Sequence, residues 1–150
     1  MDTLMFATKD EVIAAAIRNV EEKTAYTSAT LNNARDTKEL LRLRIGDREI
    51  FCVLYLNTQH QLIEVDELFM GTIDGAAVYP REIVRAALEY NAAAIILGHN
   101  HPSGVTEPSA ADRRITERIN QAMQLLDIRV LDHVIVSTSV AFSFAEGGLI

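Results

Sequence analysis

Six apolar residues, Ala92-Ala93-Ala94-Ile95-Ile96-Leu97, run straight into Gly98-His99-Asn100-His101-Pro102. A short apolar run that ends at glycine and proline reads as a buried strand. His99 and His101 are separated by one residue, so on extended backbone their side chains leave the same face. They emerge together at the C-terminal end of that strand. A loop carrying Pro102 and Pro108 follows, then Ser109, then Asp112 just inside the next helix. Two histidines and one carboxylate form a common catalytic zinc set, with a fourth position left to water. The architecture must therefore bring a strand end and a helix start to one point.

The flanking sequence supplies the rest of a sheet. Ile50 to Leu56 is apolar on both faces and reads as a central strand, followed by a turn at Asn57-Thr58-Gln59-His60. Leu62 to Met70 alternates, with Ile63, Val65, Glu67 and Phe69 on one face. Pro80 fits the first position of a helix reaching about Asn91, with Ile83, Val84, Ala87 and Leu88 turned inward. Ser109 opens a longer helix with Ile115, Ile119, Met123 and Leu126 at helical spacing. Ile128 to Val136 reads as another strand and Ala141 to Phe144 as a last one. Upstream, Thr8-Lys9-Asp10-Glu11 reads as a capping box opening a helix with Val12, Ile13, Ala16, Ile17 and Val20 on one side. Asp36 or Thr37 is placed to cap a second short helix ending near Gly46. A hairpin followed by helix, strand, helix, strand predicts an α/β fold, a mixed β-sheet with helices packed on it.

The bulk numbers narrow the function classes. With 150 residues, 49% of them hydrophobic, the chain has the size and composition of a domain with a real core. No apolar run has the length of a membrane span, and Met1 to Asp10 lacks the pattern of a secretory signal. The lone Cys52 excludes an intrachain disulfide and a cysteine-rich metal site, and a cytoplasmic location is expected. The formal net charge of −7 argues against general affinity for nucleic acid, although Arg113, Arg114 and Arg118 cluster beside the proposed site.

A zinc ion held by His99, His101 and Asp112 lowers the pKa of its water from ~16 to about 7. Amide hydrolysis also needs a group to take the water's proton and pass it to the leaving nitrogen. Glu67 is the candidate, as a carboxylate among apolar neighbours whose burial would raise its pKa; Glu64 competes with it. Ser109 is placed to donate a hydrogen bond to the developing oxyanion. Each residue also has a plainer role. Ser109-Ala110-Ala111-Asp112 is an ordinary capping box. A cap alone, however, requires neither His99 and His101 nearby nor two prolines shaping the loop between. His133, next to Asp132 in a strand, reads as a packed histidine or one that supports a ligand, and His60 as a turn residue facing solvent. Arg114 and Arg118, one helical turn apart, either grip a substrate carboxylate or form a solvated helix face.

The spacing His99-x-His101-Pro102, seven residues to Ser109 and two more to Asp112, resembles the JAMM motif of the JAB/MPN metalloproteases. The wording His99-Asn100-His101-Pro102-Ser103-Gly104, with Pro108-Ser109 and Asp112, resembles the RadC branch. So do Glu67-Leu68-Phe69-Met70-Gly71-Thr72, Val78-Tyr79-Pro80-Arg81-Glu82, Leu131-Asp132-His133-Val134-Ile135-Val136 and Ser143-Phe144-Ala145-Glu146. The resemblance covers about residues 36–150, with residues 1–35 as a helical extension. It implies an α/β sandwich related to the cytidine-deaminase fold. It further implies one Zn2+ per chain on His99, His101 and Asp112, a water-activating glutamate from an earlier strand, and Ser109 as the motif serine. Active members cleave peptide or isopeptide bonds, so a peptide or protein tail is the implied substrate. Asn100 stands where deubiquitinating members carry Ser or Thr, so substrate class does not transfer. RadC proteins also resemble a fusion with an N-terminal helix-hairpin-helix module, whose turns need glycine. The first glycine here is Gly46, so the short, JAB-only form is expected.

Three functions compete: a zinc-dependent metallopeptidase or isopeptidase, a RadC-type DNA repair or DNA-processing accessory, and a metal-binding interaction module without turnover. The lack of a Pro-Cys-x-x-Cys segment argues against a cytidine deaminase. Oligomeric state is not legible.

Overall fold

A computed structural model describes residues 30–44, 50–70, 78–101, 104–137 and 140–150. The expected helix beginning near Thr8, and most of the proposed 1–35 extension, lie outside the described residues. So do residues 71–77.

The described chain runs α1 (Ala34–Arg44), β1 (Ile50–Leu56), β2 (Leu62–Met70), α2 (Pro80–Glu89), β3 (Ala94–Asn100), α3 (Ala110–Gln124), β4 (Arg129–Val136) and β5 (Ala141–Ser143). The strands form one mixed five-stranded sheet in the order β2-β1-β3-β4-β5. β1 is antiparallel to both β2 and β3, and β5 is antiparallel to β4. β3 and β4 are parallel, which requires a crossover, and α3 supplies it. This is the α/β architecture of a sheet sandwiched by helices.

β1 and β3 are buried along their whole length, so both faces of the sheet are covered. On one face Cys52, Leu54 and Leu56 join Ile96, Val134 and Val136 beneath Leu40 and Leu41 of α1. On the other, Phe51, Val53 and Tyr55 join Ile95 and Leu97 beneath Ile83 and Ala87 of α2 and Ile115, Ile119 and Met123 of α3. Because Phe51 lies opposite His99 in the β1–β3 ladder, His99 projects to the α2–α3 side.

Several local expectations need correction. α1 starts at Ala34, earlier than a cap at Asp36 or Thr37 requires; the Asp36 N–H donates to Asn33 Oδ1 at 3.0 Å, so Asn33 is the cap. Leu88 is 58% exposed, since each helical residue turns about 100° and it falls beyond the buried Ile83–Ala87 stripe. Leu126 is also exposed, because α3 ends at Gln124 and Leu126 sits in the turn beyond. His60 is half-buried, with its Nε2 3.0 Å from Arg129 Nη2.

Gly98 lets α1 approach the strand just before the histidines. A Cβ there would stand 2.6 and 2.8 Å from the two Cδ atoms of Leu41 and 3.2 Å from Cys52 Sγ. Leu41 is itself fully buried and has no room to retreat. Gly98→Ala is therefore expected to lower stability by about 1–3 kcal/mol, the usual cost of overpacking, measured by urea denaturation.

Candidate metal centre

His99 is the penultimate residue of β3, and His101 follows the strand's end with its N–H donating to the Val136 carbonyl at 3.0 Å. Asn100 between them is buried, and its Oδ1 accepts the Ile50 N–H at 2.7 Å. That bond fastens the start of β1 to the site strand.

Asp112 enters from the first turn of α3. Ser109 is the N-cap: its Oγ accepts the Asp112 N–H at 3.1 Å, and its own N–H donates to Asp112 Oδ2 at 2.8 Å. The capping box is present, and it is what holds the carboxylate toward the histidines. Reciprocal capping pins the carboxylate so that Oδ1 lies 3.2 Å from His99 Nε2 and Oδ2 3.3 Å from His101 Nε2. The two Nε2 atoms are 2.9 Å apart. One ligand atom from each of His99, His101 and Asp112 lies within 4.8 Å of the others, a group able to hold a metal ion.

The outer atoms of the imidazoles are engaged as well. His101 Nδ1 donates to the Val105 carbonyl at 2.7 Å, since a carbonyl can only accept, which leaves Nε2 for the centre. His99 Nδ1 lies 2.7 Å from Nε2 of His133. His133 is fully buried between Phe144, stacked at 4.6 Å, and the edge of Phe51 at 5.7 Å. Its Nδ1 lies 2.5 Å from Thr116 Oγ1, which donates to the Asp112 carbonyl at 2.7 Å. His133 is therefore both packed between aromatic rings and hydrogen-bonded behind His99. Thr116 was missed, although its position four residues after Asp112 puts both on one helix face.

The electrostatics follow from burial and pairing. Burial pushes the Asp112 carboxyl up, but the hydrogen bond and charge of His99, with the amide and hydroxyl of Ser109, outweigh it and hold it well below the usual carboxylate range. Burial pushes His133 well below the usual histidine range, so its imidazole is neutral. Two lone-pair nitrogens and an ionised carboxylate crowded this closely require a shared proton or a cation between them. Their chemistry suits Zn2+, which takes histidine nitrogen and aspartate oxygen. His99 and Asp112 have only 1% of their side chains exposed and His101 has 18%, so solvent reaches the group past His101.

Glu67 is not one of the three residues that converge. It lies on the edge strand β2, opposite Cys52 in the ladder and beside an irregularity at Leu68. It is exposed, and not buried among apolar neighbours as expected. Glu64 pairs across from Tyr55, four positions along β1 from the strand pair that holds His99. A further carboxylate went unnoticed in the sequence. Glu82 is in the first turn of α2, and α2 leads through a short turn into β3, so that first turn lies at the same end of the sheet as His99. Glu82 pairs with Arg85 there. The signal was Pro80, which marks the helix start just ahead of the site strand.

The mixed sheet, the covering helices and the His-His-Asp group define an α/β domain built around a candidate metal centre. The family model of the RadC-like JAB domain matches residues 31–149, and the chain belongs to that family. It is similar to a UPF0758 protein of Marinomonas sp. (strain MWYL1), 61% identical over 73% of this chain and 49% of the relative. A UPF0758 protein of Aliivibrio salmonicida is 50% identical over 100% of this chain and 67% of its own length. One from Vibrio cholerae is 56% identical over 85% of this chain and 81% of its own. The chain thus spans about half to two thirds of most of the curated relatives it matches. Among the described residues, no helix is long and apolar enough to cross a membrane.

Proposed function

We propose that this domain is a zinc-dependent hydrolase of amide bonds, a metallopeptidase or isopeptidase acting on a peptide or protein tail. One observation carries the reading. Two imidazole Nε2 atoms and an aspartate carboxylate converge, each with its remaining polar atom engaged elsewhere, at a point open to solvent on the His101 side. A purely structural histidine cluster has no need of that opening.

His99, His101 and Asp112 are the residues that hold the zinc. When bound, zinc supplies Lewis acidity and brings a coordinated water's pKa from ~16 to about 7. Ser109 Oγ accepts from Asp112 N–H, and its hydroxyl hydrogen would turn from the Asp112 carboxylate to the carbonyl oxygen of the scissile bond. Glu67 takes the proton and returns it to the leaving nitrogen, with Glu82 as the competing carboxylate. The exposed segment carrying Gly104, Val105 and Glu107 borders the entrance. The exposed Arg113, Arg114 and Arg118 offer guanidinium groups to a substrate carboxylate. Cys52, buried and in no disulfide, suits a reducing compartment such as the cytoplasm.

The test is elemental analysis of the purified protein beside cleavage of a peptide library. One zinc per chain is expected, and Glu67→Gln is expected to lower turnover about 10²–10⁴-fold with zinc retained. If Glu82→Gln has that effect and Glu67→Gln does not, the proton carrier is on α2. Stoichiometric zinc without cleavage of any library member would make the centre a metal-binding module. Zinc-independent, salt-sensitive binding or cutting of plasmid DNA would favour the DNA-processing reading instead.

A further inference from the structure

We propose that Thr116 and His133 form a tautomer lock that makes Nε2, and not Nδ1, the metal-binding atom of His99. The inference rests on the metal-centre reading above. It follows from the direction that each hydrogen bond must take.

The chain starts at an atom that can only accept. The Asp112 carbonyl oxygen is 2.7 Å from Thr116 Oγ1, so the hydroxyl hydrogen points at that carbonyl. With its one hydrogen committed, Oγ1 can only accept from His133 Nδ1, 2.5 Å away. His133 therefore carries its hydrogen on Nδ1, and its Nε2 presents a lone pair. That lone pair faces His99 Nδ1 at 2.7 Å, so the His99 hydrogen sits on Nδ1. His99 Nε2 is then the nitrogen turned to the centre, 2.9 Å from His101 Nε2 and 3.2 Å from Asp112 Oδ1, where a proton shared with Asp112 gives way to the cation. Reversing any link would set two hydrogens or two lone pairs against each other at hydrogen-bond distance in a fully buried position.

The chain is also closed on itself. It begins at the backbone of Asp112 and ends beside that residue's own carboxylate, so α3, β4 and β3 are tied in one circuit around the centre. The aromatic walls of Phe144 and Phe51 prevent His133 from turning over. Both residues are positioning residues: neither contributes an atom to the metal.

The experiment uses the whole chain, metal-free and with ¹⁵N-labelled histidine, in wild-type, Thr116→Val and Thr116→Ser forms. Long-range ¹H–¹⁵N correlation spectra read the tautomers, and competition with a chromophoric chelator reads zinc affinity. In the wild type, His99 and His133 are both expected to carry hydrogen on Nδ1. Thr116→Val, nearly the same size but unable to accept, is expected to shift His133 toward the Nε2–H form and weaken zinc binding about 10–100-fold. Thr116→Ser should restore both. A wild-type spectrum with His133 hydrogen on Nε2 overturns the lock, whether or not the valine variant folds. So does a folded Thr116→Val protein with unchanged tautomers and zinc affinity. A wild type that binds no zinc overturns the lock together with the metal centre. Zinc binding with the expected valine and serine effects, but no amide cleavage, supports the lock and removes only the hydrolase reading.

Discussion

Asp112→Asn is expected to abolish stoichiometric zinc binding, weakening it more than about 100-fold, because partners that merely orient a ligand are already worth about 10–100-fold. Asparagine is the informative replacement. Its side-chain oxygen still accepts the Ser109 N–H, so the start of α3 keeps its cap while the centre loses its anion. Amide cleavage should fall with the zinc. The same variant tests the electrostatics of the metal-free protein. The Asp112 carboxyl is held below its ordinary range, so the unfolded chain binds its proton more readily than the folded one. Its contribution to stability is then complete above the unfolded pKa near 4, and is lost as pH falls below that toward the depressed folded value. Urea denaturation of the metal-free forms across pH 2–6 should show a shallower acid limb for Asp112→Asn. Parallel acid limbs would mean that the carboxyl is not held down by its neighbours.

Phe51→Ala has the largest expected effect on the fold. Phe51 is fully buried in the central strand, with its ring stacked 5.9 Å from His99 and set against His133 at 5.7 Å. Removing a buried phenylalanine costs about 3–5 kcal/mol, a large part of the roughly 5–15 kcal/mol that holds a domain together. Urea midpoints of the metal-free protein measure it. The cavity would also open beside both imidazoles, so zinc affinity should drop even where the variant remains folded. A loss below about 1 kcal/mol would show that the α2–α3 side of the sheet is not packed as described.

Much of the scaffold was legible in the chain. Ile50 to Leu56 and the run ending at Leu97 announced central strands because both faces are covered by helices, and only apolar residues survive there. The helix starts at Pro80 and Ser109 were legible from proline geometry and the capping box, which are local properties. The His-His-Asp group was legible because two histidines, a serine and an aspartate kept a spacing that a cap or a strand alone does not require. The start of α1 was misread because Asn33, Asp36 and Thr37 are all good caps and tertiary packing chose among them. Helical periodicity puts Leu88 and Leu126 on inward faces but does not show where the neighbouring element stops.

What the order of residues determined by itself was the set of local commitments: the apolar strands, the capped helix and the histidines on one face of an extended segment. These depend on interactions within a few residues, and side-chain alternation and capping encode them directly. The tertiary structure decided which long-range partners meet. It placed His133 and Thr116 behind His99, opposed Glu67 to Cys52 on an exposed edge strand, and set the first turn of α2 at the histidine end of the sheet. Strand order, ladder register and the crossover through α3 are global solutions to burying two sheet faces at once. No short stretch of sequence contains them.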